Sequence, residues 1–350
     1  MGNDDITAEN QMSKKEKNMI DTVLEKYDFE VIDYSKVRSA YKIKTSNGNV
    51  CLKKINHGRY KPHNGSFLVE ALSDKGFCNT AKYYKTKTQN KYVRYKNMLF
   101  YATEWIDGEE CDLNNIEEAI ICTKLLAQYH KAASGIDTTE LRIRNNLKNW
   151  PKIFKDNLRD LERFERIVKN RKIKTEFDSM YCGYLDNIYH RAMISLNFLN
   201  TSDYYKLSKQ AEKNKTICHD SFYYQNIIKK NNEYYIIDLD SILIDLHVND
   251  LGKLIRRLMF KGSYEWNFEK AKILIEAYNE VNKLEKNELE VMLSLIVFPH
   301  KFWKLGKKRY VKCKNWDEKK YIHKLNRLMR YNEMQNKFLE EYLNYLENYQ

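Results

Sequence analysis

Apolar residues follow two rhythms along this chain. In the first hundred or so residues they come in short runs. Tyr41 to Thr45 and Val50 to Ile55 have strand length, and Ser46-Asn47-Gly48-Asn49 lies between them. Asn-Gly between two such runs predicts a hairpin, because its tight turn needs positive φ. Met19 to Tyr27 has helical spacing, and so does Phe67 to Lys75, which stops at Gly76, a natural C-terminal cap. Tyr92 to Tyr95 and Met98 to Trp105 predict a second strand pair ending at Ile106-Asp107-Gly108. Beyond that point helical spacing takes over. Asn115 with Glu118 reads as a capping box for a helix through Ile116, Ala119, Ile120, Leu126 and Tyr129 toward Gly135. Long charged helices are expected from Leu147 to about Lys213 and from Phe268 onward, with one strand-rich island, Cys218 to Ile244, between them. Residues 1–16 are polar without an apolar period and are expected to be a mobile tail. The expected division is therefore a tail at 1–16, a small β-rich lobe at 17–106 and a large helical lobe at 107–350 carrying the island, with a hinge at Glu104 to Gly108.

Composition supports an α+β class. Three prolines and eleven glycines in 350 residues leave room for long uninterrupted helices and disfavour a turn-rich β sandwich. Hydrophobic residues at 43% and aromatics at 13% are enough for a packed core despite 31% charged residues. The net charge of +13 favours acidic partners such as nucleotides. The lysines are dispersed and no nucleic-acid-binding signature accompanies them, so no nucleic-acid partner is expected. Seven cysteines without a C-x-x-C pair suggest neither a zinc site nor a complete disulfide framework. No signal-like segment opens the chain and no apolar run approaches bilayer length, so a soluble intracellular product without a membrane span is expected.

The candidate chemistry lies in the island. Ile227-Ile228 begins a strand, Lys229 to Glu233 reads as a polar turn, and Tyr234 to Ile237 returns. An antiparallel hairpin brings the residue before its first strand beside the residue after its second, here Asn226 and Asp238. An amide oxygen and a carboxylate are hard ligands suited to Mg²⁺, which usually takes one or two protein groups plus waters and nucleotide phosphates. Asp240 offers a further carboxylate. The plainer reading is that Asn226 caps a turn and the aspartates pair with lysines.

The run from Cys218-His219-Asp220-Ser221 to Asn226-Ile227-Ile228 resembles the His-Gly-Asp-x-x-x-x-Asn catalytic loop of aminoglycoside phosphotransferases and choline kinases. Ile237-Asp238-Leu239-Asp240 resembles their metal-binding Ile-Asp-Phe segment, and Asp245 with Asp250-Leu251-Gly252 resembles the elements that follow. Across the chain from about residue 20, Leu126 to Ala132, Leu199 to Tyr204 and Phe298 to Trp303 are similar to stretches of CotS-type spore coat proteins. The resemblance implies a two-lobed protein kinase-like fold that uses ATP and Mg²⁺. It also implies a nucleotide-binding set of Lys53, with Lys54 second, Glu70 as the lysine's ion-pair partner, and Glu104 and Ile106 in the hinge. Asn226, Asp238 and Asp240 become metal ligands. Two departures stand out: Ser221 occupies the place of the catalytic aspartate, with Asp220 one residue early, and Ser35 to Ala40 holds no glycine where a phosphate-cradling loop is expected.

Two functions follow from the resemblance. One is a phosphotransferase acting on a hydroxyl acceptor, with Asp220 or Ser221 at the nucleophile. The other is a catalytically inactive component of the spore coat that contacts other coat proteins. The 27 tyrosines suit assembly through large amphipathic contact surfaces. Either protein is expected to be made in the mother-cell cytoplasm and to reach the coat.

Overall fold

A computed structural model describes residues 12–56 and 58–349. The chain forms two compact units. Among the described residues, one comprises 12–56, 58–111, 136–143 and 221–242, and the other 112–135, 144–220 and 243–349.

The first unit opens with helix α1 (Lys14–Leu24), whose cap is Ser13 accepting from the Glu16 amide. Part of the expected tail is therefore helical, while residues 1–11 lie outside the described residues. The polar start of α1 is held by Glu16, which accepts from Lys36 Nζ at 2.9 Å and Tyr41 Oη at 2.6 Å. An apolar period cannot report contacts of that kind. Strands β1 (Val31–Val37), β2 (Ala40–Thr45) and β3 (Gly48–Ile55) follow, then helix α2 (Lys61–Asp74), β4 (Tyr83–Tyr84), β5 (Val93–Tyr95), β6 (Met98–Glu104) and the short β7 (Glu109–Glu110). The sheet order is β1-β2-β3-β6-β4, with β5 also on β6. Met19, Ile20, Val23 and Leu24 of α1 pack with Tyr41, Ile43, Val50, Leu52 and Phe100 as one core. The even-numbered positions of β3 thus face α1. Alternation turns Cys51 and Lys53 to the other face.

The second unit is helical. It contains α3 (Ile116–Ala133), strand β8 (Arg144–Asn145), α4 (Trp150–Lys169), α5 (Glu176–Gly183), α6 (Leu185–Thr201), α7 (Tyr204–Asn214) and β9 (Ile217–Cys218). Asn115 caps α3 by accepting from the Glu117 amide. The expected capping box is not made, because the Glu118 carboxylate accepts from the Asp112 amide instead.

The island returns to the first unit as the hairpin β10 (Ile227–Lys230) and β11 (Glu233–Ile236). Its turn is only Asn231-Asn232, both at positive φ, which asparagine tolerates better than most residues. The sequence division gave this hairpin to the helical lobe. It belongs with the sheet unit because β10 also pairs with β7 and Thr80 bridges to Ile236. Strand β12 (Leu243–Ile244) re-enters the helical unit between β8 and β9. Among the described residues that unit continues with α8 (Val248–Met259), α9 (Phe268–Val281), α10 (Lys286–Val297), α11 (His300–Gly306), a π-helical turn at Lys307–Val311, α12 (Glu318–Met329) and α13 (Asn332–Glu347). Among the described residues no helix is long and apolar enough to cross a membrane.

Candidate active site

Within the sheet unit lies a cleft of about 520 Å³, a volume suited to a cofactor-sized ligand. Its walls come from the β1–β2 turn, β3, β4, the end of β6, the segment Ile106 to Glu110, and the base of the β10–β11 hairpin. Gly108 permits that assembly. A Cβ at this position would sit 2.2 Å from the Lys229 carbonyl oxygen, so only glycine lets the segment approach β10.

Lys53, Glu104, Ile106, Asn226 and Asp238 all line the cleft. Lys53 Nζ donates to Asp238 Oδ1 at 2.7 Å. Burial works against the ammonium, but the charge of Asp238 and its hydrogen bond more than offset this and raise the Lys53 pKa above its ordinary value. Lys54 is exposed. The hairpin register pairs Ile227 with Ile236, and the next rung is the Ile237 amide donating to the Asn226 carbonyl at 3.0 Å. Asn226 is thus opposite Ile237, one residue short of Asp238. Its Nδ2 donates to the Ser221 carbonyl at 3.0 Å, which directs the amide and leaves Oδ1 as the available ligand atom.

Two expected residues are engaged elsewhere. Glu70 does not pair with Lys53. It lies on the exposed face of α2, accepts from Ser66 Oγ at 3.1 Å and meets Lys85 at 3.6 Å. The inward-facing side of α2 carries Gly65, where a Cβ would strike the Tyr83 hydroxyl, so Tyr83 takes the room beneath the helix. Asp240 is buried and is not among the residues that line the cleft. It accepts from Tyr101 Oη at 2.9 Å and Ser241 Oγ at 2.8 Å, and Lys61 Nζ lies 3.8 Å away. The contacts with Tyr101 and Lys61 join residues far apart in the chain, so no local sequence signal marks them.

Asp220 closes a segment of the helical unit, and Ser221 opens one of the sheet unit. Asp220 stands where the His-Gly-Asp pattern has glycine, and its φ of 67° is the left-handed conformation that glycine adopts freely. That conformation fits the register in which Ser221 stands at the aspartate position of the pattern. The Asp220 carboxylate is paired with Lys253 of α8 and lies 3.4 Å from Arg144. Asp250 anchors the same backbone: its Oδ2 accepts from the His219 amide at 2.6 Å and its Oδ1 from the Asp220 amide at 2.9 Å. Burial opposes ionisation of Asp250, yet hydrogen bonding from His130 and nearby positive charge hold its pKa at about 2. Burial lowers the His130 pKa, so one ring proton serves, with Nε2 donating to Asp250 and Nδ1 accepting from Tyr278. Lys253 went unread in the sequence, although its place one helical turn after Asp250 puts both on one face of α8.

The family model described as "Spore coat putative kinase YutH" matches residues 20–342. The chain belongs to that family. It is 25% identical to "Spore coat protein S" of Bacillus subtilis over 337 residues, covering 93% of this chain and 94% of the relative. The resemblance to CotS-type proteins read from the sequence is borne out. Among solved structures, an aminoglycoside phosphotransferase from Alicyclobacillus acidocaldarius superposes with a TM-score of 0.83 at 18% identity, covering 93% of this chain and 96% of that one. A spectinomycin phosphotransferase in complex with ADP and spectinomycin gives 0.64 at 15% identity, covering 92% and 98%. These likenesses establish the protein kinase-like α+β fold.

Proposed function

We propose that this family member is a nucleotide-binding component of the spore coat whose cleft takes ATP with Mg²⁺ and whose phosphoryl transfer lacks its carboxylate base. The observation that carries the reading is the shared cleft of Lys53, Asn226 and Asp238. An ammonium suits phosphates, and an amide oxygen with a carboxylate suits Mg²⁺, a hard cation that keeps most of its shell for water and phosphate. Asn226 and Asp238 would hold the ion, which when bound supplies charge to phosphate oxygens. Glu104 and Ile106 would flank the base end. The ADP complex of the spectinomycin phosphotransferase supports the choice of nucleotide.

The same residues leave catalysis short. Ser221 has no basicity of its own at neutral pH, and Asp220 is engaged by Lys253 and Arg144. Asp240 is engaged by Tyr101 and Ser241, so the metal set reduces to Asn226 and Asp238. Coat association rests on the family and on the relative named Spore coat protein S. The protein is proposed to be made in the mother cell and to join other coat proteins.

Calorimetry with ATP and Mg²⁺ at up to millimolar concentration tests the cleft: binding should be seen and should weaken in Asp238→Ala. No heat with ATP or ADP would remove the nucleotide reading. A fluorescent fusion should ring the forespore, and a signal confined to vegetative cytoplasm would remove the coat assignment.

A further inference from the structure

The turn joining β1 to β2 consists of Arg38 and Ser39, since Val37 pairs with Ala40. Of these two only Arg38 has positive φ, at 54°. A two-residue hairpin turn with positive φ at its first central position takes glycine there, because a side chain in the left-handed region crowds the following carbonyl oxygen. An arginine in that conformation is strained, and such strain concentrates at ligand sites. Its guanidinium lines the cleft and donates to Oε1 of Glu110 on β7, which lines the same cleft. Ala40, two residues past Arg38, is the register partner of Lys53. The turn and the Lys53 end of β3 are therefore neighbours at one margin of the sheet.

We infer that Arg38 supplies a side-chain contact to the polyphosphate of a nucleoside triphosphate held at Lys53, in place of a glycine-rich backbone cradle. Glu110 holds the guanidinium while no phosphate is present. The inference rests on the nucleotide reading above. An ion pair as exposed as Arg38 with Glu110 contributes little on its own. A phosphate chain offers the planar guanidinium two oxygens at once and more charge, so the exchange favours the ligand. The contact selects for the phosphates and not for the base.

Titration calorimetry of the full chain with Mg²⁺-ATP and with adenosine tests this in the native protein, Arg38→Gly and Glu110→Gln. Arg38→Gly relaxes the turn, so the fold is retained while the guanidinium is lost. It should weaken Mg²⁺-ATP about tenfold or more, the loss of one charge-assisted hydrogen-bonded contact, and leave adenosine within about twofold. Glu110→Gln frees Arg38 and should tighten Mg²⁺-ATP. Equal losses for ATP and adenosine in Arg38→Gly, or ATP binding unchanged, would overturn the inference while the nucleotide reading stands. Weakening of Mg²⁺-ATP by Glu110→Gln would overturn it too, since the pair would then be part of the wall. A native protein that binds neither ligand would end both.

Discussion

Lys53 Nζ and Asp238 Oδ1 lie 2.7 Å apart, joining the end of β3 to the residue that follows the β10–β11 hairpin. The lysine expected to pair with Glu70 on α2 pairs with the expected metal carboxylate instead. Within the cleft this ammonium and this carboxylate thus neutralise one another. Under the proposed function Lys53 would serve the phosphates and Asp238 the Mg²⁺ ion of a bound nucleotide.

Lys53→Ala should therefore weaken Mg²⁺-ADP binding by about tenfold or more, through loss of a charged hydrogen-bond donor to phosphate. Glu70→Ala should change it by less than about twofold, because an exposed pair with Lys85 contributes little. Calorimetry on the two variants separates the outcomes. A larger effect of Glu70→Ala would restore the expected pairing of Glu70 with Lys53.

Gly108→Ala should destabilise the sheet unit by roughly 1–3 kcal/mol, the usual cost of forcing extra atoms into a packed contact. The obstacle is the Lys229 carbonyl, a backbone atom that cannot rotate away. The midpoint of urea unfolding measures the loss, and Gly183→Ala, with nothing within 4 Å of its added Cβ, serves as the control.

Most of the sheet unit was legible in the sequence. The runs at Tyr41 to Thr45, Val50 to Ile55 and Met98 to Trp105 have a strand period, and Asn47-Gly48 marks the turn between the first two. The convergence of Asn226 and Asp238 on one cleft followed from hairpin geometry, with the register one residue off. What escaped were contacts across long sequence separations. Nothing local to Asp240 announces Tyr101, and nothing local to Glu16 announces Tyr41. Strand β1 was missed because its exposed, polar alternation carries little apolar signal. The positive φ of Asp220 was hidden for a different reason, since a left-handed residue is legible only where glycine occupies it.

Asp245 makes the stability of the helical unit depend on pH. Burial raises its pKa to about 6 although Trp150 Nε1 donates to both oxygens, at 3.0 and 3.1 Å. Its folded pKa exceeds the ordinary value of 3.8, so the folded chain holds this proton more tightly. The resulting stabilisation is full below about pH 4 and lost as pH rises through 6. Between pH 7 and 5 the melting temperature should rise, by a free energy on the order of 1–3 kcal/mol. Asp245→Asn keeps an acceptor for the indole and should flatten that rise. A rise of equal size in Asp245→Asn would assign it to another group.

In the proposed function Ser221 stands at the base position while Asp220 is held by Lys253 and Arg144. The direct measurement is phosphoryl transfer and ATP hydrolysis by three folded proteins, native, Ser221→Asp and Asp220→Gly, against a pooled panel of metabolites and coat proteins. Asp220→Gly suits the left-handed backbone and so removes the carboxylate without straining the loop. The native protein should be near background, Asp220→Gly no lower, and Ser221→Asp faster by a factor on the order of 10², the lower range for a restored general base. Robust turnover in the native protein that Asp220→Gly abolishes and Ser221→Asp does not improve would contradict the account and make Asp220 the working base.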